Sequence, residues 1–506
     1  MGPETGKAGP APGASLFFNP ALYLAVGWLL IALAVALLAP LGVALGYDSH
    51  GPHGGSSETR AFLVTQLASL LCGGALILRY RGKQEKHITL ADGFLIVAVA
   101  WLAVGLFSAL PYLLSGAMDS PVDAYFESIS GLTTTGASVV ADLDAMPRGV
   151  MFWRCMTQWL GGLGILVLFV AILPALGEGG HNLFRAEISG GASFEKITPR
   201  VKSVARAMWL MYLLMSVAQA ALLMTCGLSW YDAATHTFTT LSSGGFSPYP
   251  QSAGAMPLSA QWVVIVFMVA AGANFTLHYR AAREFKFRAY IESPEFRAYA
   301  LILLVSGAAL SVNGAWMEGQ GAVRAVTDGF FQVISMMTTT GLATADFALW
   351  SPFAQALLVA LMFVGGCSGS TAGSMKIFRH MFIVKAVVTE LRRMANPRQV
   401  IVTKLRGEVI RQETLTNAFI FGVLFVALFA AGGLFLTMLG VDVVTAFSAS
   451  IACLSNAGPG LGFVGPMGSF ADIPAMGKAA LILQMLMGRL ELFGVFVFFI
   501  AIMRRR

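Results

Sequence analysis

Long apolar runs alternate with short polar gaps along this chain. Ten runs reach the length of about 20 residues that a helix needs to cross a bilayer. They fall at roughly 21–45, 61–79, 93–114, 149–175, 204–226, 258–279, 298–316, 353–390 (interrupted), 414–440 and 478–503. Four shorter segments of intermediate polarity lie between the third and fourth runs, the fifth and sixth, the seventh and eighth, and the ninth and tenth. After two leading helices the pattern therefore predicts outer helix, re-entrant loop, inner helix, four times over. The expected fold class is an all-α polytopic membrane protein with four such repeats around one pore. The expected divisions are a disordered start at 1–16, leading helices at 17–87, and repeats at 88–190, 191–290, 291–411 and 412–506.

The four short segments are related. Gly131-Leu132-Thr133-Thr134-Thr135-Gly136 returns nearly unchanged as Met337-Thr338-Thr339-Thr340-Gly341. Looser versions are Leu241-Ser242-Ser243-Gly244-Gly245 and Leu454-Ser455-Asn456-Ala457-Gly458. Non-helical backbone at membrane depth cannot face lipid, and is tolerated where it is buried in protein or lines a watery path. Four copies predict one ring, in which backbone carbonyls replace a cation's hydration shell. The competing reading is packing, because small residues are common at membrane helix contacts. Asp123, Asp232 and Asp328 each stand 13 residues before the glycine, and Asp442 stands 16 before. Each Asp is expected to cap a short helix whose negative end points inward. The longer fourth spacing reads as divergence or a later helix start.

Charge orients the chain. Net charge is +7, and only 12% of the 506 residues are charged, against about 25% in soluble domains. Mean hydropathy is +0.73. Lys and Arg gather after each inner helix, at 79–86, 185–206, 280–288, 392–411 and 504–506. The opposite loops hold Arg60, Arg148, Arg324 and Lys478. Cytoplasmic loops carry the basic excess, so both termini are expected inside and the re-entrant loops open outward. Between Gly116 and Pro147 lie Asp119, Asp123, Glu127, Asp142 and Asp144 without a basic residue. That loop is read either as a cation-concentrating vestibule or as plain solvated chain. The five Cys are scattered and the seven His dispersed. No metal cluster, nucleotide-cradling loop or catalytic triad is visible, so an enzyme is not expected.

Two features point to control. Val364 to Lys376 places Gly365, Gly366, Ser368, Gly369, Ser370, Thr371 and Gly373 inside an apolar span, where glycine costs a helix about 1 kcal/mol per position. The run is expected to form a loop crossing the pore below the ring; a mere kink is the alternative. Arg489 lies inside the last apolar run. Such an arginine is a functional candidate by default. It either pairs with Glu491 or Glu178, or projects into the cavity as a barrier.

On these motifs the chain resembles the Trk/Ktr/HKT superfamily of K⁺ transporters, in its TrkH-like bacterial branch, over about residues 17–503. The resemblance implies K⁺ as the transported ion, with no covalently bound cofactor. It implies filter residues Thr134, Thr135, Gly136, Ser243, Gly244, Gly245, Thr339, Thr340, Gly341, Asn456, Ala457 and Gly458. It implies a gate made by Gly365 to Gly373, Lys376 and Arg489. It also implies a bacterial inner-membrane homodimer regulated by a cytoplasmic TrkA-like ring of nucleotide-binding subunits, with no nucleic-acid partner. Glycine at all four filter positions resembles the K⁺-selective type. The rival from another class is an ion-coupled symporter of an organic solute, built on two repeats rather than four.

Overall fold

Where apolar residues run on without a breaker, the chain forms long helices; where Ser, Pro or Gly interrupts them, it folds back. The computed structural model describes residues 20–47, 56–83, 90–172, 201–285, 287–398, 404–405, 408–410, 412–490 and 492. The two leading spans are α1 (Pro20–Ala36) continued by α2 (Leu38–Tyr47), and α3 (Ser56–Tyr80). Four outer helices follow: α4 (Leu90–Leu114), α7 (Val201–Thr225), α12 (Pro294–Met317) and α16 (Gln412–Met438). Each packs on the short helix after it: α5 (Pro121–Leu132), α8 (Trp230–Leu241), α13 (Ala322–Met337) and α17 (Val443–Leu454). The chain then returns through α6 (Arg148–Ile172), α9 (Leu258–Ala271), α14 (Pro352–Val364) and α18 (Ala475–Arg489). The remaining helices are α10 (Phe275–Glu284), α11 (Arg288–Glu292) and α15 (Ile377–Ala395). A two-residue antiparallel pair, Lys404–Leu405 with Glu408–Val409, interrupts the otherwise helical order.

Contacts between repeats run one way round. The returning helix of one repeat packs on the short helix of the next: α6 on α8, α9 on α13, α14 on α17, and α18 back on α5. The outer helices leave large apolar side chains exposed, among them Leu106, Leu213, Leu304 and Val426. An apolar exterior around a polar interior is the arrangement lipid demands.

Six helices among the described residues are long and apolar enough to cross a membrane, or seven if the bent pair α9–α10 counts as one span. The expected spans at 149–175 and 478–503 run past the described residues after 172 and around 490. The expected continuous span at 258–279 is corrected: α9 and α10 meet at 99°. Gly272 ends α9, and the Asn274 side chain accepts the Thr276 N–H to start α10. That Asx cap offers the backbone a better local partner than continued helix.

The capping expectation also changes. Ser120 and Ser229 are the N-caps of α5 and α8, accepting the N–H of Asp123 and Asp232. Asp442 does cap α17, and hydrogen bonding from Thr445 holds its carboxyl below the usual carboxylate range. Asp328 lies inside α13, paired with Arg324 at 2.8 Å. From cap to glycine, Ser120–Gly136, Ser229–Gly245 and Asp442–Gly458 are each 16 residues. The fourth repeat has thus not diverged; its acid stands at the cap rather than three residues inside. The third repeat differs, starting about a turn earlier at Gly321.

Candidate functional site

Each short helix ends the same way. Thr134, Ser243, Thr339 and Asn456 take positive φ of 52°, 59°, 56° and 57°. Two residues later Gly136, Gly245, Gly341 and Gly458 take 85°, 78°, 79° and 91°. Between them Thr135, Gly244, Thr340 and Ala457 each donate N–H to the carbonyl five residues back, all at 2.8 Å. This is a Schellman closure with a non-glycine residue at its left-handed position. Such a position costs about 1–3 kcal/mol and persists only where the surroundings fix it. In both TTTG copies the first Thr hydroxyl donates to the carbonyl four residues back and meets the third: Thr133 with Thr135 at 2.7 Å, Thr338 with Thr340 at 2.8 Å.

The four segments close on one another. A Cβ on Gly136 would strike the Gly244 carbonyl oxygen, one on Gly245 that of Thr340, and one on Gly341 that of Ala457. A Cβ on Gly458 would stand 2.7 Å from the Thr135 oxygen. Glycine is required twice over, by its φ and because the neighbouring repeat's carbonyl fills the space. Among the described residues no hydrogen-bond donor reaches the carbonyls of Thr135, Thr340 or Ala457. The Gly244 carbonyl accepts from Gln158 Nε2 at 2.7 Å, while Gln158 Oε1 accepts the Phe246 N–H at 3.0 Å.

The loop between α14 and α15 lies against this ring. Residues 365–375 are buried throughout. Gly365, Gly369, Ser374 and Lys376 have positive φ, so the stretch is not helix. Its backbone pairs with the break between α9 and α10: the Cys367 N–H donates to Gly272 at 2.8 Å, and the Phe275 N–H to Gly369 at 3.0 Å. The Ser370 hydroxyl closes a turn on the Cys367 carbonyl at 2.6 Å, and a Cβ on Gly366 would meet Gly272 and Ala372. Thr371 Oγ1 lies 2.8 Å from Ser243 Oγ, and the Gly373 N–H donates to Thr339 Oγ1 at 2.7 Å. Arg489, 3% exposed, donates from Nη1 to the Thr371 carbonyl at 2.8 Å and from Nη2 to Gly161 at 3.4 Å. It therefore reaches the loop; Glu178 and Glu491, its expected acidic partners, lie outside the described residues.

Several residues that hold this site are not evident in the sequence. Glu295 Oε1 and Oε2 accept the N–H and hydroxyl of Ser368 at 2.6 and 2.9 Å. Glu127 and Arg154 are both buried and pair at 2.6 Å, and Glu127 also accepts the Val139 N–H. Arg154 stacks on Phe246 and donates to the Ser247 carbonyl. Lys478 pairs with Asp123 at 2.6 Å. Two of the five acids expected to charge an outer vestibule are thus neutralised, and Asp142 turns its carboxylate to the Asp144 and Ala145 amides. The available signal was polarity inside apolar surroundings, which marks Glu127, Arg154 and Gln158 but names no partner.

A family model described as TrkH, cation transport protein, matches residues 59–310 and 317–505. The Trk system potassium uptake protein TrkH of Halomonas elongata is 38% identical over 482 residues, covering 94% of this chain and 97% of that protein. The protein of the same name from Escherichia coli K12 is 36% identical over 481 residues, at 94% and 97% coverage. The crystal structure of the potassium transporter TrkH from Vibrio parahaemolyticus superposes with a TM-score of 0.84 at 34% identity, over 94% of this chain and 98% of that one. The chain belongs to the TrkH family of cation transport proteins, as a membrane transporter and not an enzyme.

Proposed function

We propose that this chain is the ion-conducting subunit of a potassium uptake system in a bacterial plasma membrane. The glycine ring serves as its selectivity filter and residues 365–376 as its gate. The observation that carries this reading is the cyclic closure of Gly136, Gly245, Gly341 and Gly458 on the next repeat's carbonyls. In this reading the ring's carbonyl oxygens, three of the four without a donor among the described residues, replace the hydration of a large monovalent cation. Arg489 and the loop below the ring supply a fixed positive charge and a plug. The curated relatives named above are potassium uptake proteins, which fits K⁺ as the cargo. The rival symporter of an organic solute calls for a two-repeat core, whereas four segments build this ring.

Both termini and the basic loops lie on the cytoplasmic side in this reading. There the exposed Arg283, Arg288, Arg392, Arg393 and Arg398 offer a docking face for a TrkA-like nucleotide-binding ring, and the chain works as a homodimer with one pore per subunit. The experiment is flux in proteoliposomes under K⁺, Rb⁺ and Na⁺ gradients, with and without a pH gradient. Selective K⁺ and Rb⁺ flux is expected. Uptake of none of the three, or Na⁺ flux equal to K⁺ flux, overturns the reading.

A further inference from the structure

The four returning helices share one equivalent position. Gln158, Met268, Met362 and Met485 each stand ten residues past the first residue of α6, α9, α14 and α18, and all four are buried. One turn earlier the same alignment sets Arg154 beside Val264, Leu358 and Leu481, again all buried. The register is supported further along: a Cβ on Gly161 would strike the Leu132 carbonyl oxygen and one on Gly488 that of Leu454, each at the end of its own repeat's short helix. At these two positions three of the four repeats are apolar and the first is polar. Its two side chains hold one stretch of the second repeat. Gln158 Nε2 donates to the Gly244 carbonyl at 2.7 Å and Gln158 Oε1 accepts the Phe246 N–H at 3.0 Å, so both ends of the amide are engaged. Arg154 lies 3.6 Å from the centre of the Phe246 ring and donates to the Ser247 carbonyl at 3.1 Å. A Cβ on Gly244 would collide with the Gln158 amide, so glycine at that place is what admits it.

We propose that Gln158 is a specificity-determining residue, acting through the Gly244 carbonyl to make the ring one of three free oxygens and one that is held. This deepens the filter reading above and rests on it. Gln158 is a positioning residue, since the oxygen it holds, and not its own side chain, belongs to the ring. A carbonyl oxygen has two lone pairs, and at Gly244 the Gln158 amide takes one of them. Among the described residues no donor reaches the matching oxygens of Thr135, Thr340 and Ala457. The donated N–H does two things. It keeps the Gly244 oxygen from moving inward, and its positive end opposes the field that this oxygen presents to a cation. Attraction between ion and oxygen rises as their separation falls, so a stronger and more mobile oxygen favours Na⁺, the smaller ion. Restraint and a weaker field both act against Na⁺, whichever of cavity size and field strength dominates discrimination.

The test measures K⁺/Na⁺ permeability ratios in proteoliposomes holding the full-length protein, beside its melting temperature in detergent. Gln158→Met gives the first repeat the residue of the other three. It is expected to lower the ratio about fivefold, the weight of roughly one hydrogen bond. Met268→Gln places an amide at the equivalent position of the second repeat, where the Thr340 carbonyl of the third has no donor among the described residues. It is expected to raise the ratio, and in the double variant with Gln158→Met to restore part of the loss. A brace without influence on the ion would behave differently: Gln158→Met would lower the melting temperature and leave the ratio of the folded protein at the parent value. That result overturns the proposal and leaves the filter reading standing. Where Gln158→Met fails to fold, an unchanged ratio in Met268→Gln overturns it in the same way. A parent protein that passes Na⁺ as readily as K⁺ overturns the filter reading itself.

Discussion

At the residue scale, single atoms set the tolerance of the ring. Gly136→Ser places a Cβ where the Gly244 oxygen stands, so that carbonyl must move or the φ of 85° must collapse. The expected result is a K⁺/Na⁺ permeability ratio lower by about tenfold, equivalent to roughly 1.4 kcal/mol of discrimination. Equal ratios in variant and parent at matched expression would remove the ring from the account of selectivity. Arg489 poses a different question, because a buried guanidinium stabilises whatever accepts from it and opposes any cation nearby. Its two hydrogen bonds go to the loop residue Thr371 and to Gly161 on α6. Arg489→Ala is expected to raise K⁺ flux several-fold per folded molecule. Arg489→Lys restores the charge but not the fork that reaches both carbonyls, so its flux should fall between the two. If Arg489 is a structural brace alone, the alanine variant loses melting temperature and gains no flux.

At the element scale, the loop matters because it belongs to two broken helices at once. The gap after α14 is filled by backbone from the gap after α9, and each satisfies groups the other leaves unpaired. Deleting Gly369 to Gly373 removes Thr371 and with it the contacts to Ser243 and Arg489. Flux should rise and its dependence on a regulatory partner should fall; a folded deletion protein that conducts no faster than the parent refutes the gate. This scale also shows where sequence reading stops. The Gly365 to Gly373 break was legible because so many helix-poor residues interrupt one apolar run. The break at 272–274 was not, since one Gly and one Asn are tolerated in many helices and the partner that stabilises their bend lies about a hundred residues away. Ring membership was legible from the repeated glycine. The Asp spacing misled because it mixes two kinds of position: Asp123 and Asp232 sit three residues inside their helices, and Asp328 is an ion-pair partner. Glu127–Arg154 and Gln158–Gly244 are contacts between distant segments that no local pattern encodes.

At the scale of the whole molecule, the ring exists only when the first and last repeats meet. Asn456 bonds Thr135, the Phe470 N–H donates to the Ser138 carbonyl at 2.8 Å, and Lys478 pairs with Asp123. A site assembled from all four repeats binds the folded chain and not the unfolded one, so its ligand must stabilise the fold, by about 2.7 kcal/mol at a hundredfold excess over Kd. The apparent melting temperature in detergent should therefore be higher in K⁺ than in N-methylglucamine at equal ionic strength, with Na⁺ giving less. Gly136→Ser should lose most of the K⁺ increment, because its defect is in the site. Lys478→Gln should behave in the opposite way. It removes one closure contact outside the ring, at a cost of about 1 kcal/mol or less since Asp123 keeps access to water, and lowers the melting temperature in both salts while the K⁺ increment survives. Melting temperatures that rise equally with K⁺ and N-methylglucamine would mean that the closed ring is a packing device with no ion in it.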